Sequence, residues 1–299
     1  MTTNTVKISF IGFGEAGQAI AAGLQETGAV ELTAWDILFP DAEGTTLRDA
    51  ARKIGARCAS SAADAVRGCD VVISAVTAAS SLEAARSVAG HLHGQLFLDI
   101  NSVSPGRKQQ TAKLIDDTAR YVDIAVMGPI HPARHKTPML LAGPNAAALA
   151  PMMDTFGMNA AIVGPNVGAA AAIKMVRSVM VKGLEALTYE CFVAAARAGV
   201  ENEVMGSLAK SFPGLDWPAM VEYNLERMAT HGARRAAEME EVADTVRELG
   251  VEPLMANATV THQRAMSVIG KNPEMRKAIQ REDGSILKTV SAAAKAPQN

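Results

Sequence analysis

Short apolar runs alternate with amphipathic stretches through the first half of the chain. The first run, Val6–Ile11, predicts a strand, and the stretch Ala16–Thr27 after it predicts a helix. Continuous Val, Ile and Leu runs of this length are typical of strands that are buried on both faces. Helical connections between them imply parallel pairing with right-handed crossovers. The further predicted strands are Glu31–Trp35, Val71–Val76, Leu96–Ile100, Tyr121–Val126 and Pro138–Ala142.

The pattern changes at Gly164–Gly168, and helical periodicity predominates after it. The stretch Ala169–Arg197 has no proline and a single glycine, so it predicts one long helix. A later stretch, Ala236–Leu249, is amphipathic and also predicts a helix. We therefore predict a doubly wound α/β domain over residues 1–164 and an all-α domain over residues 165–299.

Composition and charge exclude several classes of protein. Of 299 residues, 48% are hydrophobic and 20% are charged, which is typical of a globular protein. The formal net charge is −2 and no polybasic stretch occurs, so we expect neither nucleic acid nor an anionic membrane as a partner. No signal-peptide pattern and no apolar run of roughly 18–20 residues is present, so we expect a soluble, cytoplasmic protein.

The three cysteines, Cys58, Cys69 and Cys191, match no disulfide or metal-binding pattern. Their number is odd, they form no C-x-x-C pair, and no histidine cluster lies beside them. We interpret them as reduced thiols and expect no metal site.

A glycine-rich segment directly follows the first predicted strand and opens the first predicted helix. Gly12 permits a tight turn, Gly14 lets a pyrophosphate approach the backbone, and Gly17 lets the helix pack closely on the strand. The start of the helix adds amide donors and a positive dipole. This context predicts a Rossmann domain that binds a dinucleotide; the alternative is a glycine-rich turn without a ligand. The predicted cofactor contacts are Gly12, Phe13, Gly14, Glu15, Ala16 and Gly17.

Asp36 ends the second predicted strand. A carboxylate at this position accepts hydrogen bonds from the ribose hydroxyls of the adenosine and disfavours a 2′-phosphate. Because no arginine occurs in Ile37–Phe39, we predict NAD as the preferred cofactor and NADP as the alternative. A capping or solvent-facing role for Asp36 is also open. Val76 and Thr77 are expected near the cofactor, since ligands bind beyond the carboxyl ends of parallel strands.

Asn101 and Ser102 follow a later predicted strand on the same side as the cofactor. The next residues, Ser104–Pro105, are explained by helix capping alone. For Asn101 and Ser102 the residues leave two interpretations open, a contact with a substrate and a purely structural role.

Lys174 is a lone charged residue in the apolar start of the long predicted helix. By periodicity alone, such a lysine is usually a solvent-facing residue. Ser178 lies one turn later on the same helix face. The residues themselves therefore do not assign a function to Lys174.

Taken together, these segments resemble the β-hydroxyacid dehydrogenase family, which includes 3-hydroxyisobutyrate dehydrogenases and the dinucleotide-binding half of 6-phosphogluconate dehydrogenases. The family pattern combines G-x-G-x-x-G, then D-x-S-T-x-x-P, then G-x-x-G-x-G-x-x-x-K-x-x-x-N. The resemblance follows the chain in order and spacing, and is to a bacterial subgroup with a divergent C-terminal domain. The matching residues are Gly12, Gly14, Gly17, Asp99, Ser102, Pro105, Gly164, Gly168 and Lys174.

The resemblance implies that Lys174 is the general acid/base beside the nicotinamide. It implies NAD(P)-dependent oxidation of a small hydroxy acid or related alcohol by a homodimer. It also implies that Ser178, at the position of the family's asparagine, holds Lys174 by a hydrogen bond.

The chain departs from the family pattern where the substrate is expected to bind. Asn101 replaces a serine, and Met127 replaces a serine that helps to hold a substrate carboxylate. Gly128 keeps the following glycine, and His131 is a candidate donor in place of the missing serine. The resemblance therefore implies substrate contacts from Asn101, Ser102, Gly128, His131 and Ser178, and leaves the substrate open.

The position at which the family has a second lysine corresponds to Ala237 in this chain. His231, Arg234 and Arg235 lie near it as candidates to compensate, although a solvated charged face is the simpler interpretation of each. Two other functions remain open. Imine reductases share the expected fold but usually carry Asp or Tyr in place of Lys174, and a non-catalytic NAD-binding sensor is the other alternative.

Overall fold

The computed structural model describes residues 5–281 and 284–294. The chain divides into two compact units, Met1–Met175 and Val176–Asn299, and the division falls within one long helix. The first unit contains β1 (Val6–Ile11), α1 (Glu15–Gln25), β2 (Val30–Trp35), α2 (Thr45–Ile54), β3 (Arg57–Cys58), α3 (Ala62–Val66), β4 (Val71–Ser74), α4 (Ser81–Ala89), β5 (Leu96–Asp99), α5 (Pro105–Ile115), β6 (Arg120–Val126), β7 (Met139–Ala142), α6 (Ala146–Thr155), β8 (Ala160–Gly164) and the start of α7 (Ala169–Ala198).

One sheet runs through the first unit, and within residues 5–281 it has eight strands in the order β3-β2-β1-β4-β5-β6-β7-β8. The strands from β3 to β6 all pair in parallel, whereas β7 pairs antiparallel to β6. The segment between β6 and β7 contains only a short 3-10 helix, Arg134–Lys136, which is too short for a parallel crossover. The order reverses between β1 and β4, where sheets of this kind bind ligands at the carboxyl ends of their strands. The predicted doubly wound sheet is confirmed.

Helices cover both faces of this sheet. On one face, Phe10 of β1 belongs to the same apolar cluster as Ile20 and Leu24 of α1. On the other face, Val72 of β4 and Phe97 of β5 form a second cluster with α4 and α5 side chains. Burial on both faces explains why the central strands β4 and β5 are buried at every position.

The segment between β6 and β7 packs against α1. A Cβ atom at Gly23 would overlap the ring of His135, so only glycine fits this contact. Arg134 donates through both terminal guanidinium nitrogens to Glu26, at 2.7 and 2.5 Å. His135 is buried, and this burial, followed by the charges of Lys136 and Arg134, lowers its pKa.

The second unit is helical throughout its described residues. Two glycines let α9 (Trp217–Glu248) and α10 (Leu254–Ile269) approach closely, because a Cβ atom at Gly232 or Gly270 would overlap a backbone carbonyl of the other helix. Its apolar core includes the fully buried Met228, Met266 and Met275. None of the helices in the described ranges has the length and apolarity needed to span a membrane. This unit contains the rest of α7, then α8 (Glu201–Ser211), α9 (Trp217–Glu248), α10 (Leu254–Ile269), α11 (Pro273–Arg281) and α12 (Ile286–Ala293).

Candidate active site

The glycine turn joins β1 to α1 at the carboxyl edge of the sheet. Gly12 has a φ of 89°, and a Cβ atom there would overlap the carbonyl of Ala75. A Cβ atom at Gly17 would lie 2.8 Å from the carbonyl oxygen of Gly12. The turn and its helix can therefore pack together only with glycine at both positions.

The start of α1 has the properties of an anion-binding helix terminus. Gly14 is the N-cap residue, and no side chain caps the helix. The region where a Cβ atom of Gly14 would lie is open, with no other atom within 4 Å. The backbone donors of Glu15, Ala16 and Gly17 thus begin an uncapped helix beside free space. These residues fit the pyrophosphate of a dinucleotide.

Asp36, at the end of β2, is bonded to this turn. Its Oδ2 accepts the N–H of Phe13 at 2.8 Å, and its Oδ1 accepts the N–H of Leu38 at 3.1 Å. Each oxygen keeps a further lone pair, so the fixed carboxylate can still accept hydrogen bonds from ribose hydroxyls.

Val76 and Asn101 connect the glycine turn to the ends of β4 and β5. The side chain of Val76 lies against Gly12, only 2.5 Å from where a Cβ atom would be. The N–H of Val76 donates to Oδ1 of Asn101 at 2.7 Å, and Nδ2 of Asn101 donates to Oγ of Ser74 at 2.9 Å. Thr77 begins the next 3-10 helix. The structure therefore joins Val76, predicted to lie near the cofactor, and Asn101, predicted to contact the substrate, by a hydrogen bond.

Ser102, Gly128 and His131 lie on two loops that leave the same edge of the sheet. Ser102 follows β5, and the other two follow β6, which is parallel to β5. Gly128 and His131 are exposed. Oγ of Ser102 is buried and has no hydrogen-bond partner among the described residues. Buried polar groups usually have a hydrogen-bond partner, so this hydroxyl is one that a bound group could satisfy.

Lys174 is half-buried in the second turn of α7 and belongs to the same compact unit as the glycine turn. The residue before the helix, Gly168, has a φ of 97°. A Cβ atom at Gly168 would lie 3.1 Å from Cβ of Pro105, the first residue of α5. Ser178, which belongs to the second unit, is buried and accepts a hydrogen bond from Nζ of Lys182 at 3.3 Å.

A buried ionic cluster lies in the sheet near this edge, and the sequence analysis missed it. Nζ of Lys108 lies 3.0 Å from Oδ1 of Asp99 and 3.5 Å from Oδ1 of Asp123. The hydroxyl of Tyr121 donates to Oδ2 of Asp99 at 2.8 Å, and burial, followed by the two carboxylates, raises the Tyr121 pKa. The available signal was one aspartate in each of two otherwise mostly apolar strands, β5 and β6, because a buried charge requires a partner.

The three basic side chains near the expected second lysine have different environments. Arg235 is buried and pairs with Glu185, so a solvated face is the wrong interpretation of this residue. Arg234 is exposed and pairs with Glu238. Together with His231 it lines an open cavity of about 550 Å³ in the second unit. Burial, then the neighbouring arginines, lowers the pKa of His231.

The described residues contain no cluster of His, Cys, Asp or Glu side chains that could hold a metal ion. All three cysteines are free thiols. Burial, followed by the charge of Asp70, raises the pKa of Cys69 to about 11, so this thiol is neutral at physiological pH.

Two family models match separate parts of the chain. Residues 7–102 match the family described as coenzyme F420-dependent NADP oxidoreductase. Residues 195–266 match a domain of unknown function, DUF1932. The first match covers the glycine turn and Asp36, so the first unit is an NAD(P)-binding domain.

Several proteins are similar to the chain over most of its length. A conserved hypothetical protein from Sinorhizobium meliloti is 36% identical, covers 96% of each chain and has a TM-score of 0.78. Conserved protein MTH1747, of unknown function and structurally similar to 3-hydroxyacid dehydrogenases, is 31% identical over 89% of this chain and 100% of its own, with a TM-score of 0.70. An NAD-dependent L-serine dehydrogenase from Pseudomonas aeruginosa is 28% identical over 73% of each chain. The chain belongs to the β-hydroxyacid dehydrogenase family, with an NAD(P)-binding domain followed by a helical C-terminal region that matches DUF1932.

Proposed function

We propose that the protein catalyses reversible hydride transfer between a nicotinamide cofactor and a small hydroxy acid or related alcohol. The observation that carries the proposal is the position of Lys174. It lies in the second turn of α7 and in the same compact unit as the glycine turn. The first turn of this helix is hydrogen-bonded to β6 through Asp123. A proton donor and acceptor is thus attached to the sheet that holds the cofactor.

In this proposal Lys174 transfers the proton of the reaction. When bound, the cofactor supplies the hydride acceptor or donor. Neutral Lys174 accepts the hydroxyl proton of the substrate during oxidation, and its ammonium form returns a proton to the alkoxide during reduction. General acid–base catalysis of this kind contributes about 10²–10⁴-fold to the rate. Ser178 is proposed to support the lysine side chain.

The glycine turn and Asp36 are proposed to hold the dinucleotide. Amides at the start of α1 donate to the pyrophosphate, and Asp36 accepts from the ribose hydroxyls. The carboxylate repels a 2′-phosphate, so we propose NAD as the preferred cofactor and NADP as the alternative. Val76 and Thr77 complete the cofactor side of the site.

Three residues at the edge of β5 and β6 are proposed to contact the substrate: Ser102, Gly128 and His131. The unpartnered hydroxyl of Ser102 supports this assignment most directly. Asn101 is proposed to support the site by fixing the ends of β4 and β5. The relatives named as L-serine and 2-(hydroxymethyl)glutarate dehydrogenases support a substrate that carries both a hydroxyl and a carboxylate.

We further propose a homodimer, as the resemblance implies. Four exposed apolar side chains of α7 recur at helical spacing: Val176, Met180, Leu184 and Leu187. Such a row is typical of a helix that packs against another surface. Light scattering that gives the mass of two chains would support the assembly, and the mass of one chain would exclude it.

Replacement of Lys174 by methionine tests the proposed chemistry. Methionine keeps most of the side-chain volume and removes the titrating group. We expect NAD affinity within about twofold of the wild type, and a kcat lower by about 10²–10⁴-fold. Lys113→Met, at an exposed position on α5, is the matched control and should keep wild-type activity. Undiminished turnover in Lys174→Met would exclude the proposed mechanism.

A further inference from the structure

A buried carboxylate of the sheet is bonded to the start of the helix that carries Lys174. Asp123 lies within β6 and is 0% exposed. Its Oδ2 accepts the N–H of Gly168 at 3.0 Å and the N–H of Ala171 at 3.2 Å. The first backbone N–H groups of a helix have no partner within the helix, and this carboxylate accepts hydrogen bonds from two of those at the start of α7. Its negative charge is also favourable at the positive end of the helix dipole.

Asp123 also forms an ion pair with a buried lysine, although its Oδ1 has no hydrogen-bond partner among the described residues. Nζ of Lys108 lies 3.5 Å from Oδ1 of Asp123 and 3.0 Å from Oδ1 of Asp99. It also donates to the backbone carbonyls of Asp99, at 2.6 Å, and Ile124, at 3.3 Å. Asp99 and Asp123 are register partners on neighbouring strands, so the ammonium lies between two carboxylates that it can contact at once. These contacts leave the Asp123 side chain little freedom.

Burial of three charged groups is costly, and apolar side chains of similar volume would fill the same space at lower cost. Stability alone therefore does not account for this cluster. Its connection to α7 offers a reason, because Ala171 lies three residues before Lys174, which is close to one helical turn. The hydrogen bond from Ala171 to Asp123 therefore fixes the helical turn that carries Lys174.

We propose that Asp123, held by Lys108, is a positioning residue for Lys174. The inference rests on the proposed function, since it assigns Asp123 a role only through the lysine. Asp123 fixes the first turns of α7 relative to the sheet, and so fixes the origin of the Lys174 side chain. A displacement of about 1 Å in a reacting group can cost about 10²-fold in rate.

Replacement of Asp123 by asparagine tests this role. Asparagine has nearly the same shape but lacks the charge that pairs with Lys108, and only one of its two polar atoms can accept an amide hydrogen. We expect kcat to fall about 10–100-fold. The glycine turn and Asp36 are unchanged, so NAD affinity should remain within about twofold.

Asp64→Asn is the matched control. It makes the same chemical change in a carboxylate of α3 that accepts the N–H of Ser60 at 2.9 Å and pairs with Arg57, and both of these partners lie outside α7 and the ionic cluster. A kcat within about threefold of the wild type is expected for this variant. An equal loss in both variants would mean that removal of a paired carboxylate acts only through general stability, and would overturn the proposal.

A double-mutant cycle with Lys174→Met separates positioning from other effects. If Asp123 acts through Lys174, adding Asp123→Asn to the Lys174→Met background should lower the single-turnover rate less than twofold. Losses that multiply would overturn the inference and leave the proposed function intact. Wild-type turnover in Lys174→Met alone would instead overturn the proposed function, and this inference with it.

If Asp123→Asn does not fold, Gly168→Ala perturbs the same helix start without changing the ionic cluster. Its Cβ atom would lie 3.1 Å from Cβ of Pro105, at a φ of 97° that alanine rarely adopts. The same cycle applies: its loss of kcat should vanish in the Lys174→Met background. A loss that persists there would contradict the positioning role.

Discussion

Asp36 is half-buried, and backbone amides at the glycine turn hold its carboxylate in place. Its two oxygens accept the N–H groups of Phe13 and Leu38, so the carboxylate keeps a fixed position at the end of β2. No cationic side chain occurs in Ile37–Phe39 to offset its charge. A 2′-phosphate at this position would therefore meet an uncompensated negative charge.

Replacement of Asp36 by alanine should relax the proposed preference for NAD. We expect the ratio of kcat/KM for NAD to that for NADP to fall at least about tenfold, since one unfavourable charge interaction of about 1.4 kcal/mol corresponds to a factor of ten. Asp41→Ala, at an exposed position nearby, is the control. A wild-type enzyme that prefers NADP would contradict this assignment and point to Arg48, which donates to the carbonyl of Phe39.

At the level of elements, the strand–turn–helix unit β1–α1 depends on Gly12 for two separate reasons. One is its φ of 89°, and the other is the absence of room for a Cβ atom beside Ala75. Gly94 has a similar φ of 92°, but the region around its Cβ position is open. A comparison of alanine substitutions at Gly12 and Gly94 therefore separates the cost of backbone strain, present at both, from the cost of steric overlap, present only at Gly12.

Gly12→Ala should destabilise the protein more than Gly94→Ala. For Gly94→Ala the expected loss in the free energy of unfolding is about 1–2 kcal/mol, the cost of a left-handed conformation. For Gly12→Ala the overlap should add about 1–3 kcal/mol and weaken NAD binding. Urea denaturation of the two variants measures the difference, and equal losses would show that the packing at Gly12 is not tight.

The sequence predicted those elements whose signal is local. β1 (Val6–Ile11) agrees to the residue because the glycine turn that directly follows its apolar positions marks its end. The helix predicted at Ala236–Leu249 is only the last part of α9 (Trp217–Glu248), although Asp216 caps that helix and marks its start. The aspartates in β5 and β6 indicated buried charge, but the cluster itself was not predictable, because the pairing of Asp99 with Asp123 depends on strand register. The candidate site residues were predicted from motifs and from the rule that ligands bind beyond the carboxyl ends of parallel strands.

On the scale of the whole molecule, the chain joins an NAD(P)-binding unit to a helical unit with its own apolar and ionic core. In the second unit Arg235 pairs with Glu185, and Gln263 donates to the same carboxylate at 2.8 Å. Lys182 lies 3.1 Å from Glu238, and its burial lowers its pKa. These internal pairs specify the packing of the second unit, whereas the proposed proton-transfer residue, Lys174, lies in the first.

Stability should fall in mild acid because His135 is buried with a lowered pKa. Below about pH 6.5 the unfolded chain binds a proton that the folded chain resists, so the loss grows by up to about 1.4 kcal/mol per pH unit until the folded pKa is reached. His135→Gln should reduce the difference in unfolding free energy between pH 7.5 and 5.5. His231 contributes with the same sign. An unchanged difference in the variant would exclude His135 as a source.

Transfer of an isotopic label tests the central claim most directly. Small hydroxy acids deuterated at the carbinol carbon are incubated with NAD and the enzyme, and the mass of the NADH formed is measured. We expect deuterium in NADH from at least one of these acids with the wild type, and a rate about 10²–10⁴-fold lower with Lys174→Met. A protein that binds NAD but transfers no label, or a Lys174→Met variant that transfers it at the wild-type rate, would contradict the account.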